Sequence, residues 1–268
     1  MKPELLANVT TAPMPVGSGD WLDPKIVNAD CLIEMPKMPA QSVDAIISDL
    51  PYGTTCAPWD SVLPLATLWA EWKRLLKPGG AIVLTASQPF SSVLGASNLR
   101  MLKYSWVWEK SKASNFLLAR KQPLKAHEDI LVFCDGTPTY NPQKTKGEPF
   151  KGAGRSKKGS QTELVNNVPN PTFRNDNNGD RFPRSVQYFV TAESEGCLHP
   201  TQKPVALMRY LVRTHTNPGD VVLDVACGSG TTCLAAMLEG RKSIGIEKDE
   251  QYAKIAINRI HEARGLGV

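Results

Sequence analysis

At 268 residues, 41% hydrophobic and 21% charged, the chain can bury one sizeable core and has the composition of an ordinary globular protein. No apolar run approaches the ~20 residues that span a bilayer, and the first 22 residues read as a Pro- and Gly-broken leader without a signal-peptide core. The net charge of +5 is concentrated: residues 100–160 hold thirteen Lys and Arg against five acids. That distribution suits either a polyanion-binding face or a plain solvated surface.

In chain order, KIVNA reads as a short strand and VDAIISDLPY as a buried strand that ends in a sharp turn. LPLATLWAEWKRLL has helical spacing, with Leu65, Leu68, Trp69, Trp72 and Leu76 on one face and Pro78-Gly79-Gly80 as its stop. AIVLTA, YSWVWEK and EDILVFC follow as strands; His127 and Glu128, which open the last, are assigned no catalytic role. Residues 135–197 are rich in Gly, Pro, Asn, Lys and Ser and keep no helix or strand period, as a functional insert or a disordered one would. Regular pattern resumes with TQKPVALMRYLVRTH as a helix opened by Pro204. VVLDVA then reads as a strand, CGSGTT as a glycine turn, TCLAAMLEG as a helix, SIGIE as a strand and EQYAKIAINRIHEAR as a final helix. Such alternation predicts an α/β sheet with helices on both faces and a ligand at its carboxyl edge. The six cysteines (31, 56, 134, 197, 227 and 233) have neither CxxC pairing nor a His at ligand spacing. No metal site is expected, and a reducing, cytoplasmic setting is.

Two turns carry chemistry. Asp224-Val225-Ala226-Cys227-Gly228-Ser229-Gly230-Thr231-Thr232 joins a strand to a helix; its glycines let a ligand approach, and the helix start offers unpaired N–H groups. Glu247, at the end of the next strand, can accept both ribose hydroxyls of a nucleoside cofactor. NAD competes, but the third glycine of GxGxxG is missing, and an acid beside the turn suits a cationic sulfonium better than a pyrophosphate. S-adenosylmethionine is therefore favoured. Asp49-Leu50-Pro51-Tyr52, at the end of the other buried strand, suits methylation of an exocyclic amine, whose lone pair is delocalised into the base. The Asp49 carboxylate and the Leu50 carbonyl can both accept from the NH₂ group, and Tyr52 offers a ring for an extruded base. Read alone, the tetrapeptide is equally a strand-ending turn.

Together, over residues 24–263, these motifs resemble the permuted, β-group amino-methylating DNA methyltransferases. In that family a D/N/S-P-P-Y/F/W motif comes early, a target-recognition region follows, and the cofactor turn comes late. The resemblance implies a doubly wound, mostly parallel seven-stranded Rossmann-like sheet with one antiparallel strand. It divides the chain into a leader (1–22), a catalytic part (23–134), a target-recognition insert (135–197) and a cofactor-binding part (198–268). It assigns catalysis to Asp49, Leu50, Pro51 and Tyr52. To S-adenosylmethionine it assigns Asp30, Thr201, Lys203, Asp224, Ala226, Cys227, Gly228, Gly230, Thr231, Glu247 and Lys248, with His199 heading an HxTxKP-like element. Lys144, Lys146, Lys151, Arg155, Lys157, Lys158, Arg174, Arg181 and Arg184 would contact DNA phosphates, and Asn166, Asn167, Arg174 and Asn175 are candidate base readers. Two residues depart from the pattern. Leu50 replaces a proline that would stiffen the turn, and Ala226 stands where a phenylalanine often contacts the cofactor.

Asp at position 49 points to adenine N6, with cytosine N4 as the alternative. A methyltransferase acting on RNA or protein and a catalytically inactive DNA-binding module are the remaining readings. Double-stranded DNA is the expected partner, a second copy of the chain and a cognate restriction endonuclease are candidates, and no membrane is. Trp59, in the loop after DLPYG, is a candidate cover for cofactor or base.

Overall fold

A computed structural model describes residues 24–55, 57, 60–149, 178–196 and 198–265. The first half supplies strands β1 (Lys25–Asn28), β2 (Val43–Asp49), β3 (Leu76–Ala86), β4 (Leu102–Ser114) and β5 (Lys125–Phe133). Helices α1 (Cys31–Glu34), α2 (Leu65–Leu75) and α3 (Phe90–Ser97) lie between them. Short strands β6 (Thr145–Lys146), β7 (Asp180–Arg181) and β8 (Val186–Phe189) come next. They precede α4 (Val205–His215), β9 (Val221–Asp224), α5 (Thr231–Leu238), β10 (Lys242–Glu247) and α6 (Glu250–Gly265).

Eight strands form one sheet in the order β1-β10-β9-β2-β3-β5-β4-β8, in which only β5 runs antiparallel to its neighbours. The doubly wound α/β sheet is present with one strand more than expected. The extra strand is β8, which comes from 135–197 and pairs in parallel with β4 through Val107↔Val186 to Lys110↔Phe189. Strands β6 and β7 make a separate ribbon. At two residues each they are too short to show a period, so the irregular reading of that stretch missed them.

Alternation along the central strands builds the two faces. Ile46, Ile82, Leu84 and Phe133 face α2 and α3, where Leu68, Trp69, Trp72 and Leu75 supply the helical stripe. Ala45, Ile47, Val83, Ile130 and Val132 face α4 and α5 through Leu207, Met208, Leu211, Ala235 and Ala236. Helix α2 stops sooner than expected. Leu76 is already extended and paired with Val43, so the Pro78-Gly79-Gly80 stretch belongs to β3. A Cβ on Gly80 would lie 2.7 Å from the Asp44 carbonyl oxygen, so this glycine serves strand-to-strand approach. Helix α3 escaped the sequence reading because FSSVLGAS has poor helix formers; burial of Phe90 and Leu94 holds it.

Strand order fixes where a ligand can sit. From β2 the chain moves to β3 on one side, and from β9 to β10 on the other. The crevice at the carboxyl ends of β2 and β9 is therefore a topological switch point. This seam is pinned at both ends: the Val221 N–H donates to Asp44 Oδ2 at 2.9 Å, and the Ser48 hydroxyl donates to Asp224 Oδ1 at 2.6 Å.

Candidate active site

A cavity of about 570 Å³ opens at this switch point, within the range of small-molecule and cofactor sites. Its walls bring together Asp49, Leu50 and Pro51 from the end of β2 and Asp224, Ala226, Cys227 and Gly228 from the end of β9. Glu247 and Lys248 from the end of β10, Asp30 after β1, and Thr201 and Lys203 ahead of α4 complete the set. Of the expected cofactor and catalytic residues, Gly230 and Tyr52 alone are not in the wall. Gly230 is the αL N-cap of α5, and a Cβ there would meet the Ala256 Cβ of α6 at 2.8 Å. Tyr52 stacks on Phe90, ring centroids 5.5 Å apart.

At the cofactor side, backbone and carboxylates interlock. Glu247 accepts from the Gly228 N–H at 2.8 Å through one oxygen and from the Asp249 N–H at 2.8 Å through the other. This fixes the carboxylate at the strand end while lone pairs stay free for hydroxyl donors. Asp224 accepts from Ser48 and from the Ala226 N–H at 3.1 Å. Burial raises its carboxyl to about 6, against the opposing hydrogen bonds from Ser48, Thr232 and Ala226. Asp30 caps α1 through the Leu32 N–H and pairs with Lys248 at 3.0 Å. Leu63 and Tyr252 add apolar wall, and Tyr252 meets His199 edge-on at 4.2 Å. The donor set, the positive φ at Gly228 and the cavity size fit a nucleoside cofactor bearing a cationic sulfonium.

The opposite side of the cavity is built around Asp49. Its Oδ1 accepts from the Tyr52 hydroxyl at 2.6 Å and from the Thr85 hydroxyl, and its Oδ2 accepts from Lys203 Nζ at 2.6 Å. Lys203 also faces Glu128 Oε2 at 3.4 Å, and Glu128 pairs in turn with Lys110. The lysine therefore lines the cavity while its amine is held by the Asp49 carboxylate. Burial disfavours its charge, but Asp49 and Glu128 outweigh burial and raise its pKa. Glu128 is the mirror case: burial disfavours its charge, and Lys203 and Lys110 lower its pKa nevertheless. For the Tyr52 hydroxyl burial and both carboxylates act together and push it well above the ordinary phenol value.

With Leu50 in place of a first proline, the turn is held by burial. Its side chain is 3% exposed and packs into the core with Leu84 and Phe90. Asp60 then clamps the loop beyond it, accepting from the N–H groups of Gly53 at 2.8 Å, Thr54 at 2.9 Å and Thr55 at 2.6 Å.

Sequence reasoning missed Glu128, Thr85, Asp60, Phe90 and Tyr252. For Glu128 a signal existed: an acid opening an apolar strand, in register with the β4 stretch that carries Lys110. Thr85 and Phe90 gave none, because register and the path of a loop bring them to the site. Among the expected DNA contacts, Lys144, Lys146 and Arg181 gather on the β6–β7 ribbon, where Lys146 pairs with Asp180 and Arg181 donates to the Glu148 carbonyl at 2.6 Å. Arg184 precedes β8. Lys151, Arg155, Lys157, Lys158, Arg174, Asn166, Asn167, Asn175 and Trp59 lie outside the described residues.

The sheet order and the paired acidic turns define a methyltransferase-type α/β enzyme, and similarity to known proteins agrees. Residues 43–258 match the N6/N4 family described as DNA methylase. The chain is 34% identical over 258 residues to the DNA adenine methyltransferase YhdJ of Escherichia coli (strain K12), covering 89% of this chain and 83% of that one. It is 27% identical over 252 residues to the type II methyltransferase M1.MboII of Moraxella bovis, covering 87% and 94%. Among solved structures, the M1.HpyAVI–SAM complex aligns with a TM-score of 0.60 at 23% identity, covering 89% and 99%. The cytosine-N4-specific PvuII DNA methyltransferase aligns with a TM-score of 0.63 at 16%, covering 88% and 89%. The chain belongs to the N6/N4 DNA methylase family.

Proposed function

We propose that the protein transfers a methyl group from S-adenosylmethionine to the exocyclic N6 of adenine in double-stranded DNA. The observation that carries this reading is that Asp49 and the Asp224–Gly228 turn open into one cavity from adjacent strands, so methyl donor and acceptor amine can be aligned in it. The cofactor would supply an activated methyl group on a sulfonium. Glu247 would hold its ribose hydroxyls, Asp224 and Asp30 its cationic end, and Leu63 and Tyr252 its base.

The chain's own groups prepare the amine. A carboxylate has about four lone-pair positions, and Asp49 uses three, on Tyr52, Thr85 and Lys203. The remaining one can accept from an extruded adenine NH₂, with the Leu50 carbonyl as second acceptor, drawing nitrogen toward tetrahedral geometry. Lys203 donates to Asp49 Oδ2 and orients the carboxylate for that contact. Phe90 sets the plane of the Tyr52 ring, on which the base would stack. The chain's similarity to a relative named as an adenine methyltransferase supports N6 over N4. Action on DNA supports the reading of a cytoplasmic enzyme. No described helix is long and apolar enough to cross a membrane. The type II name of the Moraxella relative makes a cognate restriction endonuclease a candidate partner, and a homodimer is a second.

Incubation with methyl-labelled cofactor and unmethylated duplex DNA, followed by nucleoside digestion, should give N6-methyladenine. Label confined to N4-methylcytosine, or found only with an RNA acceptor, would overturn the assignment. Asp49→Ala should reduce the rate by about 10²-fold or more, the scale of losing one aligned charge-stabilising group. Cofactor affinity should stay near that of the wild type. Equal rates for variant and wild type would leave a DNA-binding module.

A further inference from the structure

The connection between β4 and β5 leaves the sheet at its carboxyl edge, the edge that carries the site. Residues 115–124 read Asn-Phe-Leu-Leu-Ala-Arg-Lys-Gln-Pro-Leu. Asn115 takes φ +70 and turns the chain into a single 3-10 turn, Phe116–Leu118. The two residues at the tip are almost fully bare: Phe116 is 74% exposed and Leu117 84%. A hairpin loop that needs only to close a turn is built from Gly, Asn, Asp and Ser, not from adjacent large hydrophobes.

The chain through this tip carries charge of one sign, with Glu193 paired to Lys112 at its base. From Lys110 to His127 there is no acid, and Arg120 and Lys121 are exposed without an ion-pair partner among the described residues. The root of the hairpin touches the site. Lys125 Nζ donates to the Ser87 hydroxyl at 3.4 Å and the Gln88 carbonyl at 3.3 Å. These two residues lie between Thr85, which holds Asp49, and Phe90, which stacks on Tyr52. Glu128 of the Asp49–Lys203 cluster lies three residues beyond Lys125, about 10 Å along the strand.

Two partners suit an apolar tip of this kind. In a twofold contact between copies of the chain, the cations around the tip would face their own images, which opposes association. A nucleic-acid duplex has the opposite charge, and its base stack accepts apolar side chains once a base has left it. We infer that Phe116 and Leu117 form a wedge that enters the DNA stack as the target adenine is extruded, while Arg120 and Lys121 hold the neighbouring phosphates. This rests on the reading that the enzyme methylates adenine in duplex DNA.

The test uses the full chain and oligonucleotide duplexes that carry a methylated site first mapped by sequencing DNA from expressing cells. In one duplex the target adenine faces thymine; in the other it faces an abasic site, so that extrusion needs no unpairing. The double variant Phe116→Ser/Leu117→Ser should lose at least tenfold in kcat/KM on the paired duplex and less than threefold on the abasic one. With 2-aminopurine at the target, its fluorescence rise on binding should disappear. Phe116→Trp/Leu117→Met should stay within threefold of wild type on both. An active wild type matched by the serine variant overturns the wedge, as does an equal loss on both duplexes. A change in sedimentation from dimer to monomer on serine substitution overturns it in favour of self-association. A wild type that methylates no DNA overturns the underlying reading as well.

Discussion

Lys203 and Asp49 are 154 positions apart in the chain, yet Lys203 Nζ stands 2.6 Å from Asp49 Oδ2 in a site where the lysine side chain is 6% exposed. A buried cation between two carboxylates is worth little as a source of stability, but removing one member leaves the others uncompensated. Lys203→Met should therefore destabilise the fold by about 3–5 kcal/mol, since Asp49 and Glu128 then face one another without it. Adding Glu128→Leu in the same chain removes one of the two facing carboxylates but strands Lys110, so it should recover only part of that loss. Methyl transfer should stay low in both variants, as Asp49 has lost its holder. Urea unfolding and initial rates measure both outcomes, and simple additivity of the two stability changes would contradict the coupling.

Asp60 makes a second prediction about the same turn. Its carboxylate satisfies three consecutive N–H groups beyond Tyr52. Burial opposes its ionisation, but the Thr55 side chain and these N–H groups lower its pKa below the ordinary value. Asp60→Ala should cost about 2 kcal/mol of stability by stranding these donors. It should lower kcat more than it weakens cofactor binding, since the clamp orients the catalytic turn. Equal kcat in the variant would show that Leu50 and Pro51 hold the turn unaided.

Asp224 predicts a pH dependence of opposite sign from an ordinary paired carboxylate. Its folded pKa is raised from 3.8 to about 6. Below about pH 4 folded and unfolded chains both keep this proton. As pH rises toward 6 the unfolded chain loses it first, so this group's contribution falls through that window, by about 3 kcal/mol in all. Asp224→Asn keeps an acceptor for Ser48 and the Ala226 N–H and cannot titrate. The ligand-free variant should therefore gain on wild type as pH goes from 4 to 7, measured by urea unfolding at each pH. Cofactor affinity of wild type should rise over the same range, as the carboxylate proposed to meet the sulfonium end becomes charged. Neighbouring Asp49 and His199 also bear on the cavity, and the comparison with the variant isolates Asp224.

Gly230 is strained for any other residue. Its φ is +77, and the added methyl of Gly230→Ala would press on Ala256. The cost should be about 1–3 kcal/mol from αL backbone and overpacking together. Cofactor binding should weaken with it, because the start of α5 moves. A thermal melt unchanged from wild type would show that α6 gives way freely.

Much of this was legible from the chain alone, for reasons that differ by residue. Asp49, Asp224 and Glu247 each end a buried strand, and strand ends show in sequence as an apolar run closed by an acid and a turn. Their parallel pairing brings those ends to one edge, so these groups meet in one cavity. Glu128, Thr85 and Lys203 follow a different rule. Their places depend on which strand pairs with which, and at what register, and β5 runs opposite to its neighbours. Local pattern carries no such information, so Glu128 read as the polar start of a core strand, and the carboxylate partners of Lys203 could not be read. Strand β8 was illegible because VQYF gains its identity from β4 beside it.

The β2–β9 seam, tied by Asp44 to Val221 at one end and Ser48 to Asp224 at the other, has a mechanical consequence. Acceptor and donor groups are mounted on neighbouring ribs of one stiff plate, not on two bodies joined by a hinge. No closing motion between them is available to switch the chemistry on or off. Any gate must act on what reaches the plate, namely how the nucleic acid is gripped and how its base is delivered. Catalytic alignment should then persist unchanged on warming and vanish together with the fold, in a single step.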